Sequence, residues 1–104
     1  MRVLIDILSA IKPTSIVGDQ ERDLHGLTLD SREVKQGFLF AATRGASTDG
    51  HLYISKALEQ GASVILCEEL PSERGNATYV VVSDAAEALG KLASEYYENP
   101  SSNI

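Results

Sequence analysis

The segment Phe38–Cys67, FLFAATRGASTDGHLYISKALEQGASVILC, decides how this chain folds. It opens on a continuous apolar run, Phe38 to Ala42, of the kind found in a strand covered on both faces. Asp49 then stands where a helix N-cap belongs, and Tyr53, Ile54, Ala57 and Leu58 follow at helical spacing. Gly61 falls where a left-handed residue ends a helix, and Ala62 to Cys67 supplies a second buried strand around Val64, Ile65 and Leu66. Strand, helix and strand at this spacing form a βαβ unit, which predicts two parallel strands with a right-handed crossover.

The flanking sequence extends the same pattern. Pro71 to Asn76 reads as a polar loop into a third strand, Tyr79 to Val82. A helix begins at Ser83 or Asp84, with Asp84 and Glu87 at capping-box spacing. Its buried stripe is Ala85, Leu89, Leu92, Ala93 and Tyr96, and Asn99-Pro100 ends it. Upstream, Val3, Leu4, Ile7, Leu8 and Ile11 form one face of a short helix stopped by Pro13. Thr14 to Val17 reads as a short strand, Gly18 to Asp23 as a turn, and His25 to Leu29 as an extended strand entering the Asp30-Ser31-Arg32 turn. The strands near Ile16 and Thr28 are candidates for an antiparallel pair at one edge. Together these elements predict an α/β, three-layer Rossmann-like domain with a mixed, largely parallel sheet and flanking helices.

Composition narrows the partners. A chain of 104 residues at 43% hydrophobic content suits one compact domain. A net charge of -6 argues against nucleic acid or an anionic membrane surface, which are met by clustered Lys and Arg. The single cysteine, Cys67, excludes an internal disulfide framework or a multi-cysteine zinc site, and its place at a strand end reads as a small buried hydrophobe. The opening MRVLIDILSAI is interrupted by Asp6 and Ser9, and fits neither a signal peptide nor a membrane span. A reducing, cytoplasmic setting is expected.

In open α/β sheets ligands bind beyond the carboxyl ends of the strands. The loop Thr43 to Gly50 has that position: its N–H groups and the helix end beyond favour a phosphate or a polar ring edge. Ser47 and Thr48 add hydroxyls, and Gly45 and Gly50 permit close backbone approach. A tight βα turn without ligand fits the same residues and, from the loop alone, is the simpler account. The glycines do not make a dinucleotide fingerprint. In the second turn, Asp30 can bond its own backbone while Ser31 and the Leu29 carbonyl reach outward, although an Asp-Ser-Arg tripeptide alone reads best as a structural Asx-type turn. Asp49 as a cap and His51 as a first-turn packing residue account for that pair better than a metal site with Asp30. A Ser31–His51–Asp30 triad lacks a nucleophile elbow. No catalytic residue and no metal ligand is therefore expected, and His25 has no partner that the sequence identifies.

The combination of these features is more specific than any one of them. Asp30-Ser31-Arg32, Val34, Gly37, Leu39-Phe40-Ala41, Gly45, Asp49-Gly50-His51, Tyr53-Ile54, Ala57, Gly61-Ala62, Cys67-Glu68 and the closing YYENPS resemble the N-terminal domain of the Mur ligases over essentially the whole chain. The resemblance implies a domain that holds the UDP moiety of a nucleotide-sugar substrate, with Leu29 and Ser31 as the uridine-contacting pair and Ala46, Ser47 and Thr48 in a loop that closes on UDP. It implies that residues 1–98 form this domain, that 99–104 begin a linker, and that the parent enzyme is an ATP-dependent amide ligase of peptidoglycan synthesis. ATP and magnesium would sit in a central domain, and the amino-acid pocket in a C-terminal domain, of the same chain. The sequence has no Gly-Lys-Thr or Gly-Lys-Ser phosphate loop, so this segment is expected to hold no cofactor and to be inactive alone.

Within the family, LTLDSR and CEELP resemble members that add the third amino acid to UDP-N-acetylmuramoyl-L-alanyl-D-glutamate. Members that add D-Ala-D-Ala share the DSR, LF and DGH segments and stay as the alternative. A free-standing nucleotide-sugar binding module and a small acidic interaction domain are readings from other classes. The resemblance leaves the added amino acid, meso-diaminopimelate or lysine, open.

Overall fold

The computed structural model describes residues 2–4, 8, 10–19, 21–43, 50–71 and 77–98. Its strands are β1 (Arg2–Val3), β2 (Ser15–Val17), β3 (Asp23–Leu24), β4 (Gly26–Thr28), β5 (Phe38–Ala41), β6 (Val64–Cys67) and β7 (Thr78–Val81). The helices are α1 (Ile54–Glu59) and α2 (Ala85–Glu98), with 3-10 turns at Ser31–Glu33 and Gly50–Tyr53.

Five strands form the main sheet in the order β2-β7-β6-β5-β4. The β4/β5, β5/β6 and β6/β7 pairs are parallel, and β2 runs antiparallel to β7 with Ile16 opposite Val80. The sheet is mixed and largely parallel, as expected, but its edges differ from the expectation. The strands carrying Ile16 and Thr28 lie at opposite edges and do not pair with each other. Thr14 shows why: its N–H and hydroxyl both donate to the Val81 carbonyl, at 2.8 and 2.9 Å, and so fix β2 on the far strand.

Alternation along the central strands divides the core between the two faces. Leu39, Ala41, Val64, Leu66 and Val80 meet Ala85, Ala88 and Leu92 of α2, together with Leu4, Leu8, Ile11 and Leu24. Phe40, Ala42, Ile65, Cys67 and Tyr79 meet Ile54 and Ala57 of α1. The three layers follow from this division, and all four residues of β6 are buried. Tyr96 lies partly buried in the α2 stripe, and its hydroxyl donates to the Leu24 carbonyl at 3.2 Å.

Two sequence expectations are corrected at the amino end. Arg2 and Val3 are a strand, paired antiparallel with Leu24 and Asp23, so neither the helical face from Val3 nor the turn ending at Asp23 holds as expected. The ladder continues through the Leu4 N–H, which donates to the Arg22 carbonyl at 2.8 Å, and this pairing with a distant segment outweighs local helical periodicity. Leu4 and Leu8 do have helical backbone and are buried. The expected chain stop at Asn99-Pro100 and most of the loop from Pro71 to Asn76 lie outside the described residues.

At the turn after α1, Gly61 has φ of 108°, and a Cβ there would stand 2.8 Å from Gln36 Cα. Gly61→Ala is expected to cost about 1–3 kcal/mol from left-handed strain and this clash, measurable as a lowered midpoint in urea unfolding. Burial pushes the Cys67 thiol up to about 11. The thiol is therefore protonated when folded, and its stabilising contribution is complete below the ordinary thiol range and is lost as pH rises through about 11. A thiol reagent at neutral pH is expected to label Cys67 only as fast as the protein opens, which a labelling series across denaturant concentrations would read out.

Candidate functional site: a cleft at the carboxyl end of the sheet

The chain leaving β4 passes through Leu29 and Asp30 into the 3-10 turn Ser31–Glu33. Asp30 caps that turn, accepting from the Arg32 N–H at 2.9 Å, while its own N–H donates to Thr28 Oγ1 at 3.0 Å. The Arg32 side chain then folds back on the same carboxylate: Nε donates to Oδ1 at 3.0 Å and Nη2 to Oδ2 at 2.9 Å. This fork gives the carboxylate two parallel charge-assisted bonds. The Arg32 side-chain bond, reinforced by the Arg32 N–H, holds the Asp30 carboxyl below the usual carboxylate range, and the same pairing raises the guanidinium. Ser31 is only 8% exposed, and its carbonyl accepts from Gln60 Nε2 at 2.5 Å, which ties the turn to the end of α1.

The chain leaving β5 reaches Thr43 and re-enters the described structure at Gly50. The Gly50 N–H donates to the Thr43 carbonyl at 2.6 Å, so Thr43 and Gly50 are fixed at one place. A side chain at position 50 is not accommodated there, because a Cβ would lie 2.7 Å from Thr43 O and 2.8 Å from Thr43 N. His51 anchors the next step: its Nε2 accepts from the Glu68 N–H at 3.0 Å and the Glu69 N–H at 3.3 Å, just beyond β6. Glu68 in turn accepts the Ala85 N–H on Oε2 at 2.9 Å, joining this corner to the start of α2.

Between these two exits lies a cleft of about 640 Å3. Leu29, Asp30, Ser31 and Arg32 line one side, Thr43 and Gly50 the floor, and Tyr53 and Lys56 the α1 side. Leu29, Asp30, Ser31 and Gly50 thus come together at the carboxyl ends of β4 and β5. Gly45, Ala46, Ser47, Thr48 and Asp49 lie outside the described residues. Tyr53 departs from its expected place in the buried face of α1. It is 44% exposed on the cleft, because a 3-10 turn precedes the helix and α1 begins only at Ile54. Sequence reasoning placed Thr43 at the start of the ligand-side loop and Arg32 in the turn, and gave no role to Lys56. The spacing of Tyr53 and Lys56, which places both on one side of a helix, was the available signal.

The arrangement suits binding. Asp30 is held by Arg32 and His51 by backbone donors, so neither is arranged to activate the Ser31 hydroxyl. Among the described residues no three His, Cys, Asp or Glu side chains converge in a way that suits a metal ion, and no helix is long and apolar enough to cross a membrane. The exposed apolar surfaces of Leu29, 58% exposed, and Tyr53 face a cleft with polar backbone at its floor, a combination suited to a polar ring.

Residues 23–97 match the model of the family described as "Mur ligase family, catalytic domain". The chain belongs to the Mur ligase family. A UDP-N-acetylmuramoyl-L-alanyl-D-glutamate--2,6-diaminopimelate ligase of Bacteroides fragilis is 48% identical over 97% of this chain, which covers 21% of that relative. The corresponding ligase of Cytophaga hutchinsonii is 40% identical over 95% of the chain and 21% of the relative. The chain therefore spans about a fifth of the length of these Mur ligases. Among solved structures, MurF from Acinetobacter baumannii superposes with a TM-score of 0.77 over 93% of this chain and 21% of that one, at 23% identity, a likeness of fold. MurF ligase from Thermotoga maritima in complex with ADP gives a TM-score of 0.60 at 32% identity over 75% of this chain and 17% of that one.

In this Mur ligase domain the Asp30–Arg32 fork has a pH signature. Because the folded carboxyl titrates below its ordinary value, its contribution is present above the usual aspartate range and is lost as pH falls through the lowered value. The carboxyl-carbon resonance of Asp30 is expected to titrate at lower pH than a free aspartate, and Arg32→Gln to return its midpoint towards the ordinary value.

Proposed function

We propose that this chain is the UDP-anchoring domain of an ATP-dependent ligase that adds the third amino acid, diaminopimelate, to UDP-N-acetylmuramoyl-L-alanyl-D-glutamate in peptidoglycan synthesis in the cytoplasm. The observation that carries the reading is the cleft itself. It brings Leu29 and Ser31, from the exit of β4, against Thr43 and Gly50, the two ends of the loop that contains Ala46, Ser47 and Thr48. These are the segments that the family resemblance assigns to the uridine and the UDP group. The buried Ser31 and the backbone at the loop ends present polar atoms to the base edge, and Leu29 and Tyr53 present apolar surface.

Anchoring at a site remote from the reacting carboxylate is a catalytic contribution: binding energy from the nucleotide fixes the position of the peptide end. Neither magnesium nor ATP fits the described side chains. The sequence has no phosphate loop, and the described residues offer no converging metal ligands. In this reading both belong to the central domain of the parent enzyme, the amino-acid pocket belongs to its C-terminal domain, and this segment alone forms no amide bond.

The D-Ala-D-Ala-adding ligases are the second reading, supported by the 32% identity to MurF ligase from Thermotoga maritima. Identity of 48% over 97% of the chain to a diaminopimelate ligase, against 32% over 75% to that MurF, favours the first. A free-standing nucleotide-sugar module has less support, given that the relatives are about five times longer.

Titrating isotope-labelled protein with UDP and with UDP-N-acetylmuramoyl dipeptide tests the assignment. Saturable amide shifts are expected at Leu29, Ser31 and Ala46 to Thr48, with affinity lowered about fivefold to thirtyfold in Ser31→Ala through loss of about 1–2 kcal/mol. Unchanged spectra at millimolar ligand would remove the UDP assignment.

A further inference from the structure

The cleft is lined by three charged side chains among the described residues, Asp30, Arg32 and Lys56. Arg32 is committed to Asp30 through both Nε and Nη2, so their charges cancel and the guanidinium fork is occupied. Lys56 forms no ion pair among the described residues and is exposed on α1. The described lining therefore has one uncompensated positive charge, in a chain whose net charge is -6. The helix that borders the cleft, α1, has six residues and offers no substantial helix-end field of its own, which leaves a side chain to supply the cation.

Resting on the reading of this cleft as a UDP site, we propose that Lys56 is a substrate-binding residue that holds the diphosphate, and that it sets the preference for nucleoside diphosphates over uncharged nucleosides. An ammonium on a flexible four-carbon stem binds phosphate oxygens as a movable point charge and needs no fixed fork geometry. The division of labour follows from the lining. Ser31 and the exposed Leu29 lie at the β4 exit and serve the base, whereas Lys56 lies one helical turn beyond Tyr53 and serves the charged part of the ligand. Arg32 serves as a turn-forming residue, with Nε and Nη2 held by Asp30. Its alignment of the Asp30 cap keeps Ser31 in place.

Calorimetric titration of the 104-residue chain with UDP, UMP and uridine, at low and at raised salt, tests the assignment. Lys56→Gln is expected to lower UDP affinity about tenfold, the worth of one charge-assisted bond, and to leave uridine affinity unchanged. The salt dependence of UDP binding is expected to fall in the same variant, and Lys56→Arg to restore most of the affinity. Lys91→Gln, on α2 across the sheet, is the charge control and is expected to bind UDP as the parent does. UDP binding in Lys56→Gln equal to the parent, with Ser31→Ala still weakened, would overturn the role of Lys56 and leave the UDP site standing. An equal loss of uridine and UDP affinity in Lys56→Gln would also overturn it. Absence of binding by the parent chain to all three ligands would remove the UDP reading itself.

Discussion

Burial of both faces of β5 and β6 is the constraint from which the remaining architecture follows. A strand that is apolar on both sides must be covered twice, and among the described residues two sets of helical residues do it. The set around Leu4, Leu8 and α2 covers the side of Leu39, Leu66 and Val80, and α1 covers that of Phe40, Ile65 and Tyr79. Once these layers are formed, the exits of β4 and β5 must lie side by side, because the two strands are parallel neighbours with Thr28 opposite Phe40. The cleft is a product of that adjacency.

The polar bonds at the carboxyl edge work on top of this framework. Thr43 and Gly50 bond to each other beyond β5, Asp30 and Arg32 close the turn beyond β4, and His51 fastens the helix entry to the β6 exit. Each is a short-range bond whose partners were brought together by burial of apolar residues a few positions away. Together they hold the cleft walls on rigid elements, the arrangement that a binding site needs if it is to fix a distant part of its ligand.

What could be read from the sequence was what depends on neighbours in the chain. The unbroken apolar run Val64 to Cys67, the glycine at position 61 and the pairing of Asp84 with Glu87 are local signals, and the Glu87 N–H does donate to Asp84 Oδ1 at 3.0 Å. The placement of β2 depends on which distant strand offers it a free edge, and the two-residue ladder of Arg2–Val3 is too short to leave a periodicity. The outward turn of Tyr53 arises from a 3-10 entry that helical spacing does not distinguish from an α-helical one. The acceptor role of His51 required partners at Glu68 and Glu69, which no local pattern announces. Leu29 and Ser31 were legible as a strand exit, and Lys56 was not, since its significance comes from the cancellation of Arg32 by Asp30 across the same turn.

The start of α2 has two caps of different origin. Asp84 belongs to the helix segment and is available as soon as that segment bends, whereas the Glu68 carboxylate reaches Ala85 from the end of β6. The second cap exists only when β6 and α2 have docked on one sheet, so it rewards the assembled topology over the isolated helix. The same residue gives its N–H to His51. One glutamate thus links the two helical layers: its backbone N–H holds the entry to α1 through His51, and its side chain holds the entry to α2.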